Sequence, residues 1–292
     1  MSSAPELLLP KSLASAVKGL SLDDEAMCLS GGATLVALLN ANLIEPSHLI
    51  SLKEIQELIG IAGQPDGSIK IGAMTRHEMT ASSDLLVGSH SGVKEAASKI
   101  ANPTVRNMGT MGGSIAFADP GADYPPALVA VNAEIEIVSL QGARRIKAEE
   151  FFVDWYETAL EPGELIKAIY LPKINIAACG IHEKFARVEG DFATASVNVV
   201  LALDENICRS IRIAVGACGP TPVRNPEAED LLIGKTLSEE NLLVSGELLA
   251  NACDPVDDVR GSATYRLSLV PQLLVKAVTR AQHTLMEAGK NG

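Results

Sequence analysis

Apolar residues near the N-terminus fall first at helical spacing. Leu13, Ala16, Val17 and Leu20 lie at i, i+3, i+4 and i+7, one face of a short helix. Residues 27–30 then read as a short buried strand and residues 35–41 as a helix. Residues 48–52, 58–62 and 68–73 read as further strands, and Gln64, Pro65, Asp66 and Gly67 form a turn between the last two. Thr75 stands three residues before Glu78, the capping-box spacing, and is expected to cap a short helix. Residues 91–100 predict another. Residues 134–140 alternate isoleucine with glutamate and predict a strand, which Gln141 and Gly142 turn into a second one at 143–147. Residues 164–171 predict a strand that ends at Pro172.

The pattern changes around residues 172–178. Residues 181–188, 195–203 and 207–217 are strands at hairpin spacing, with Asp204, Glu205 and Asn206 as the second turn. Helices are expected over 226–233, 238–251 and 264–288. The C-terminal third therefore predicts a three-stranded antiparallel sheet followed by helices.

One stretch has no period. Residues 100–126 read IANPTVRNMGTMGGSIAFADPGADYPP, dense in glycine and proline, with Arg106 as the one cation. It is expected as a long loop, and loops of that length are more often functional than idle. Its centre is Thr110, Met111, Gly112, Gly113 and Ser114. A second double glycine, Ser30-Gly31-Gly32-Ala33-Thr34, lies between a predicted strand and a predicted helix. Adjacent glycines let backbone N–H groups approach an anion, and a helix start directs such groups at it. Neither loop is followed by the lysine of a P-loop, and neither has dinucleotide GxGxxG spacing. Together they are placed to grip a pyrophosphate from two sides.

Composition narrows the function. With 292 residues and 47% hydrophobic content the chain can bury a large core, as one large domain or two to three small ones. Its net charge of −12 argues against nucleic acid or an anionic membrane as the main partner. No apolar run approaches a membrane span. The start, MSSAPELLLPKSL, has no basic region and only a short apolar run, so it is no export leader and the expected compartment is cytoplasmic. The 5 cysteines are odd in number and lack C-x-x-C spacing, so neither disulfides nor a metal or iron–sulfur site in this chain is expected. His48, His77, His90, His182 and His283 share no metal-ligand spacing and read as surface or packing histidines. No G-x-S-x-G elbow occurs. Asp119 and Asp123 flank Pro120-Gly121, either as a catalytic pair or as carboxylates that cap turns or bind hydroxyls.

The same residues resemble the FAD-binding medium subunit of the molybdenum hydroxylases, a family with carbon monoxide, nicotinate, quinoline, nicotine-type ketone and xanthine dehydrogenases. The resemblance is carried by LSGGATLVALLNANLIEPSHLISLKEI (residues 29–55), IANPTVRNMGTMGGSIAFADPGADYPPALVAVNAEIEI (100–137), FFVDWYETALEPGELIKAIYLP (151–172) and HEKFARVEGDFATASVNVVLAL (182–203), and weakly by TYRLSLVPQLLVKAV (264–278). It implies an α+β chain with the FAD-binding fold of the vanillyl-alcohol-oxidase/PCMH type. Two N-terminal α/β units, residues 1–55 and 56–175, would precede a C-terminal flavoprotein domain, 176–292, with a three-stranded antiparallel sheet and helices. FAD would lie in the crevice between the units.

The resemblance also assigns roles. Ser30, Gly31, Gly32, Ala33, Thr34, Leu35 and Val36 would cradle the pyrophosphate through backbone N–H groups. Thr110, Met111, Gly112, Gly113 and Ser114 would grip it from the other side. Ile100 and Ala101 would line the nucleotide end, Asp123 would bind polar groups of FAD, and Leu165 and Ile166 would pack on the isoalloxazine ring. Lys184 would stand beside the flavin, where a cation stabilises a reduced, anionic ring. No catalytic residue and no metal ligand is implied in this chain. One departure is visible. The family's first loop usually reads AGGT or AGGQS, whereas SGGAT adds a hydroxyl at Ser30 and removes a polar side chain at Ala33. The cysteine-rich insertion of the subtype with an extra cluster is absent.

The implied function is electron transfer in a heterotrimer. A large molybdopterin subunit would hydroxylate the substrate, 2Fe-2S clusters on a small subunit would relay electrons to FAD here, and an external acceptor (NAD, oxygen, quinone or a cytochrome) would take them. The assembly implied is a dimer of heterotrimers. Two alternatives stay open: a stand-alone FAD-dependent oxidoreductase with its own substrate site, and a non-enzymatic scaffold. The absence of an acid–base constellation suits the first reading. Reduction of bound FAD by a small substrate without partner chains would favour the second.

Overall fold

Three β-sheets follow one another along the chain in the computed structural model, which describes residues 5–290. Residues 1–4 and 291–292, part of the first and last expected domains, lie outside the described residues.

The first sheet is parallel, in the order β1-β3-β2, from β1 (Glu6–Leu8), β2 (Met27–Leu29) and β3 (His48–Ser51). Helices α1 (Leu13–Leu20) and α2 (Leu35–Asn40) make the crossovers. Ser12 caps α1 by accepting from the Ser15 N–H. The α1 face predicted by spacing buries Ala16 and Val17 against Ile50 and Leu52. Strand β1 has no signal of its own, because three residues form it only by pairing with His48–Ile50 far downstream. Strand β2 is not buried as expected: Met27 is 39% exposed, because it borders a cavity rather than the core.

The second sheet is antiparallel throughout, in the order β4-β5-β10-β6-β7. The chain runs β4 (Ile61–Gly63), β5 (Ile69–Gly72), α3 (His77–Ala81), α4 (Ser91–Ser98), α5 (Pro103–Arg106), α6 (Met111–Phe117), α7 (Tyr124–Ala130), β6 (Glu134–Ser139) and β7 (Gly142–Lys147). It continues through α8 (Ala148–Phe151), a small hairpin of β8 (Phe152–Asp154) and β9 (Glu157–Thr158), and β10 (Leu165–Leu171). The alternation in β6 is met as expected, with Ile135 and Ile137 fully buried and Glu134 and Glu136 half-buried. Before β4 a 3-10 turn at Gln56–Leu58 takes the start of the expected strand.

Two expectations are corrected here. Residues 100–126 are not a long loop but carry α5, α6 and the start of α7. Asn102 caps α5 with Pro103 at its first position, and Thr110 caps α6. Glycines 112 and 113 disfavour a helix intrinsically. Contacts from outside override that preference: Met111 N–H donates to the Thr75 carbonyl and Gly112 N–H to the Ala73 carbonyl. Thr75 does not cap α3 either. Arg76 holds the cap position, while the fully buried Thr75 hydroxyl accepts from Gly60 N–H and donates to the Gly60 carbonyl.

The third sheet is the expected antiparallel one, β11 (Ala178–Phe185), β12 (Ala195–Asp204) and β13 (Ile207–Gly216) in sequence order. Helices α9 (Pro226–Asp230), α10 (Glu239–Asn251) and α11 (Ala263–Lys290) follow. Leu249, Leu274 and Val278 pack on Val197, Ile211 and Ile213 to make its core. The opposite face of the sheet packs on α4 and α7 of the second unit. Arg212 on β13 donates to the Val129 and Ala130 carbonyls at the end of α7, where a cation is favoured. Among the described residues no helix is long and apolar enough to cross a membrane.

Because the Thr75 hydroxyl is the acceptor for Gly60 N–H, Thr75→Val leaves that donor unmet, while the Gly60 carbonyl keeps its bond from Gly72 N–H. A stability loss of about 1–3 kcal/mol is expected in urea denaturation, with Thr75→Ser close to the parent.

Candidate functional site

A cavity of about 620 Å³ opens where the three units meet. That size suits a cofactor or a large small molecule. Its walls come from residues 27–38 of the first unit, from β5–α7 and the start of β10 in the second, and from Gly190, Asp191 and Phe192 between β11 and β12.

The first glycine loop forms one wall. Ser30, Gly31, Gly32, Ala33, Thr34 and Leu35 all line it, while Val36 stands outside it on α2 and is 43% exposed. Gly32 has φ +78°, a left-handed turn that feeds the chain into α2. The N–H groups of Gly31, Gly32, Ala33 and Thr34 have no hydrogen-bond partner among the described residues. The Thr34 hydroxyl, although at the cap position of α2, makes no cap bond. Four consecutive free donors on a cavity wall are the kind of backbone feature that can accommodate an anion.

The second glycine loop forms the facing wall in a different way. Thr110, Gly112, Gly113 and Ser114 line the cavity, whereas Met111 turns away and is fully buried. Its N–H groups from Met111 onward are spent internally. Those of Met111 and Gly112 go to the Thr75 and Ala73 carbonyls, that of Gly113 to the Thr110 hydroxyl, and that of Ser114 to the Thr110 carbonyl. The Ser114 hydroxyl and the Thr110 N–H have no partner among the described residues. The glycines here serve packing. A Cβ on Gly112 would come within 2.6 Å of the Ala73 Cβ, and a Cβ on Gly31 would fall onto the Met108 carbonyl oxygen.

Ile100 and Ala101 line one apolar end of the cavity, and Leu165 and Ile166 at the start of β10 line another part. A register shift in β10 follows the latter two residues, between Ile166 and Ala168.

Asp123 precedes α7, is 5% exposed and reaches the cavity. Its oxygens accept from His182 Nε2 at 2.9 Å and from Lys184 Nζ at 3.0 Å. A carboxylate has about four acceptor sites, so positions remain for a ligand hydroxyl. Lys184 does not line the cavity. Its ammonium donates to Asp123 and to the Lys99 and Asp191 carbonyls, each at 3.0 Å, which uses all of its N–H groups. The lysine thus ties β11, α4 and the 186–194 segment together instead of facing a ligand. Asp119 accepts from the Gly121 N–H at 2.8 Å, the turn-capping reading, and burial raises its carboxyl above the usual range.

Among the wall residues that sequence reasoning missed are Cys28, His77, Glu164 and Phe192. Cys28 precedes the first loop, and burial pushes its thiol up to about 12, so it is neutral. His77 starts α3, with Nδ1 3.2 Å from the Tyr124 hydroxyl, and burial pulls it from 6.5 down to about 4. A hydrogen bond from Arg144 holds the Glu164 carboxyl below its usual range. None has a spacing that marks it; each arrives by tertiary folding. All five cysteines are free, and no group of three or more His, Cys, Asp or Glu among the described residues is placed to hold a metal ion.

Two family models match the chain. The one described as the FAD binding domain in molybdopterin dehydrogenase matches residues 3–174, and the CO dehydrogenase flavoprotein C-terminal domain matches residues 181–281. The chain is 35% identical over 261 residues to the alpha subunit of the 6-hydroxypseudooxynicotine dehydrogenase complex of Paenarthrobacter nicotinovorans, covering 89% of this chain and 88% of that one. It is 35% identical to the carbon monoxide dehydrogenase medium chain of Afipia carboxidovorans, covering 94% and 95%. Among solved structures, a chain of the Cu,Mo-CO dehydrogenase in its cyanide-inactivated form superposes with a TM-score of 0.93 at 34% identity, covering 97% and 99%.

The depressed His77 has a measurable consequence. Between about pH 6.5 and pH 4 the unfolded chain takes a proton at His77 that the folded chain refuses, so stability falls as pH drops through that window and levels off below it. The loss amounts to at most about 3 kcal/mol. Urea midpoints measured at both ends of the window should show a smaller pH loss for His77→Gln than for the parent. Equal losses would show that His77 is not excluded from protonation.

Proposed function

The chain belongs to the family of FAD-binding medium subunits of molybdopterin dehydrogenases, and on that premise we propose that it is the electron-transfer subunit of a heterotrimeric molybdenum hydroxylase. The observation that carries the reading is the run of four unpartnered backbone N–H groups, Gly31 to Thr34, on the wall of a cavity large enough for a dinucleotide-type cofactor.

The residues present fit FAD. Free N–H groups of Gly31, Gly32, Ala33 and Thr34 would hold the pyrophosphate, with the Thr34 and Ser114 hydroxyls as further donors. The spent donors of Met111, Gly112 and Gly113 make the second loop a fixed wall rather than a second set of claws. Ile100 and Ala101 would line the nucleotide end. Asp123, its orientation fixed by His182 and Lys184, would accept from hydroxyls of the cofactor's polyol chain. Leu165 and Ile166 would supply an apolar floor for the ring and keep water from it. Bound FAD would supply the redox chemistry, and the protein's part is to position and tune it.

Lys184 would act on the flavin only at second hand, through Asp123. Substrate hydroxylation would belong to a large molybdopterin subunit. Electrons would arrive from 2Fe-2S clusters on a small subunit and leave for an external acceptor. We place this assembly in the cytoplasm as a dimer of heterotrimers.

Co-expression with the neighbouring genes, followed by gentle purification through a tag on this chain, tests the reading. One equivalent of FAD per copy is expected, together with a molybdopterin-containing large chain and a 2Fe-2S small chain in equal amounts. A colourless chain that purifies alone and takes up no FAD would overturn it. FAD-loaded chain without partners, reduced directly by a small substrate, would favour the stand-alone oxidoreductase.

A further inference from the structure

Ser30 was expected at the cofactor because it begins the first glycine loop. Its hydroxyl turns elsewhere. Ser30 Oγ lies 2.9 Å from Met74 Sδ and 2.6 Å from Thr110 Oγ1. Thr110 Oγ1 in turn accepts from the Gly113 N–H at 3.1 Å. Counting protons fixes the direction of this chain. A thioether has none to give, so Ser30 donates its single proton to Met74. The bond between the two hydroxyls must then be Thr110 donating to Ser30. The order is Gly113 N–H to Thr110 Oγ1–H to Ser30 Oγ–H to Met74 Sδ. Neither hydroxyl retains a proton for a ligand.

The chain links three segments that are far apart in sequence. Ser30 belongs to the loop between β2 and α2, Met74 to the turn after β5, and Thr110 and Gly113 to the start of α6. Thr110 and Met74 are buried, so the links are shielded from competing water. The backbone packs equally close. A Cβ on Gly113 would lie 3.0 Å from Thr110 Oγ1 and 3.4 Å from Ser30 Oγ, and Gly31 seats against the Met108 carbonyl. Immediately after Ser30 come the four unpartnered N–H groups.

We propose that Ser30 is a positioning residue: with Thr110 and Met74 it forms a hydrogen-bonded clasp that holds the two glycine loops together before the cofactor arrives. The clasp fixes where the Gly31–Thr34 donors stand without touching the ligand. It rests on the reading of this cavity as an FAD site. Its effect is preorganisation. When only a fraction of molecules holds the loops together, apparent affinity falls by that fraction.

The test is isothermal titration of FAD into FAD-depleted protein, with thermal melting to confirm that each variant is folded. Ser30→Ala is expected to raise the Kd for FAD about tenfold, the scale of losing one or two buried hydrogen bonds. Thr110→Ser keeps both links and should stay within about twofold of the parent. Because the chain breaks only once, the double variant Ser30→Ala/Thr110→Val should bind no more weakly than Thr110→Val alone. Unchanged affinity in Ser30→Ala, or losses that multiply in the double variant, would overturn the clasp while leaving the FAD site standing. A parent protein that binds no FAD would bring down the underlying reading as well.

Discussion

Backbone packed directly on backbone, between Gly31 and the Met108 carbonyl and between Gly112 and Ala73, is the contact on which the cavity depends. No side chain fits in either place. The first joins the β2–α2 loop to the turn before α6, and the second seats α6 on the end of β5. The N–H groups of the first loop, Gly31 to Thr34, have no partner among the described residues, and the loop lines the cavity. The second loop has the opposite fate. Its donors are consumed in holding α6 to residues 73 and 75, which makes it rigid. The two glycine pairs look alike in sequence but divide the work, one binding and one bracing.

The third unit closes the cavity through charge as well as through close packing of Gly190 on the Ala101 backbone. Asp123 at the head of α7 is bonded by His182 and Lys184, both on β11, and Lys184 also reaches the Lys99 and Asp191 carbonyls. A buried carboxylate held this way costs desolvation that only good geometry offsets, so it contributes placement more than net stability. It fixes the 186–194 segment, which brings Gly190, Asp191 and Phe192 to the cavity wall. Arg212 at the end of α7 repeats the tie further along the same helix.

Much of this was legible in the chain. Strands β6, β7, β10 and the third sheet follow from period-two alternation and turn residues. Helices α10 and α11 were expected at 238–251 and 264–288. The two glycine loops, with their flanking hydroxyls, marked both facing walls. What was not legible depended on partners distant in sequence. Strand β1 exists only because β3 pairs with it. The helix α6 forms against its glycine propensity because Ala73 and Thr75 accept its first N–H groups. Thr75 has the spacing of a cap but bonds to Gly60. The fates of Ser30 and Lys184 turn on which acceptors folding brings near, and those acceptors lie 44 and 85 residues away for Met74 and the Lys99 carbonyl. Chain-local reasoning finds the donor types; only the fold decides where they point.

The central claim is that close approach of the two loops creates the cofactor's anion site. It is tested most directly by FAD titration of Gly31→Ala, whose new Cβ would have to displace the Met108 carbonyl. FAD affinity should fall by at least about a hundredfold while the circular dichroism spectrum stays that of the parent, because the strain is local and the second and third units keep their cores. Parent-like FAD binding by Gly31→Ala would contradict the account.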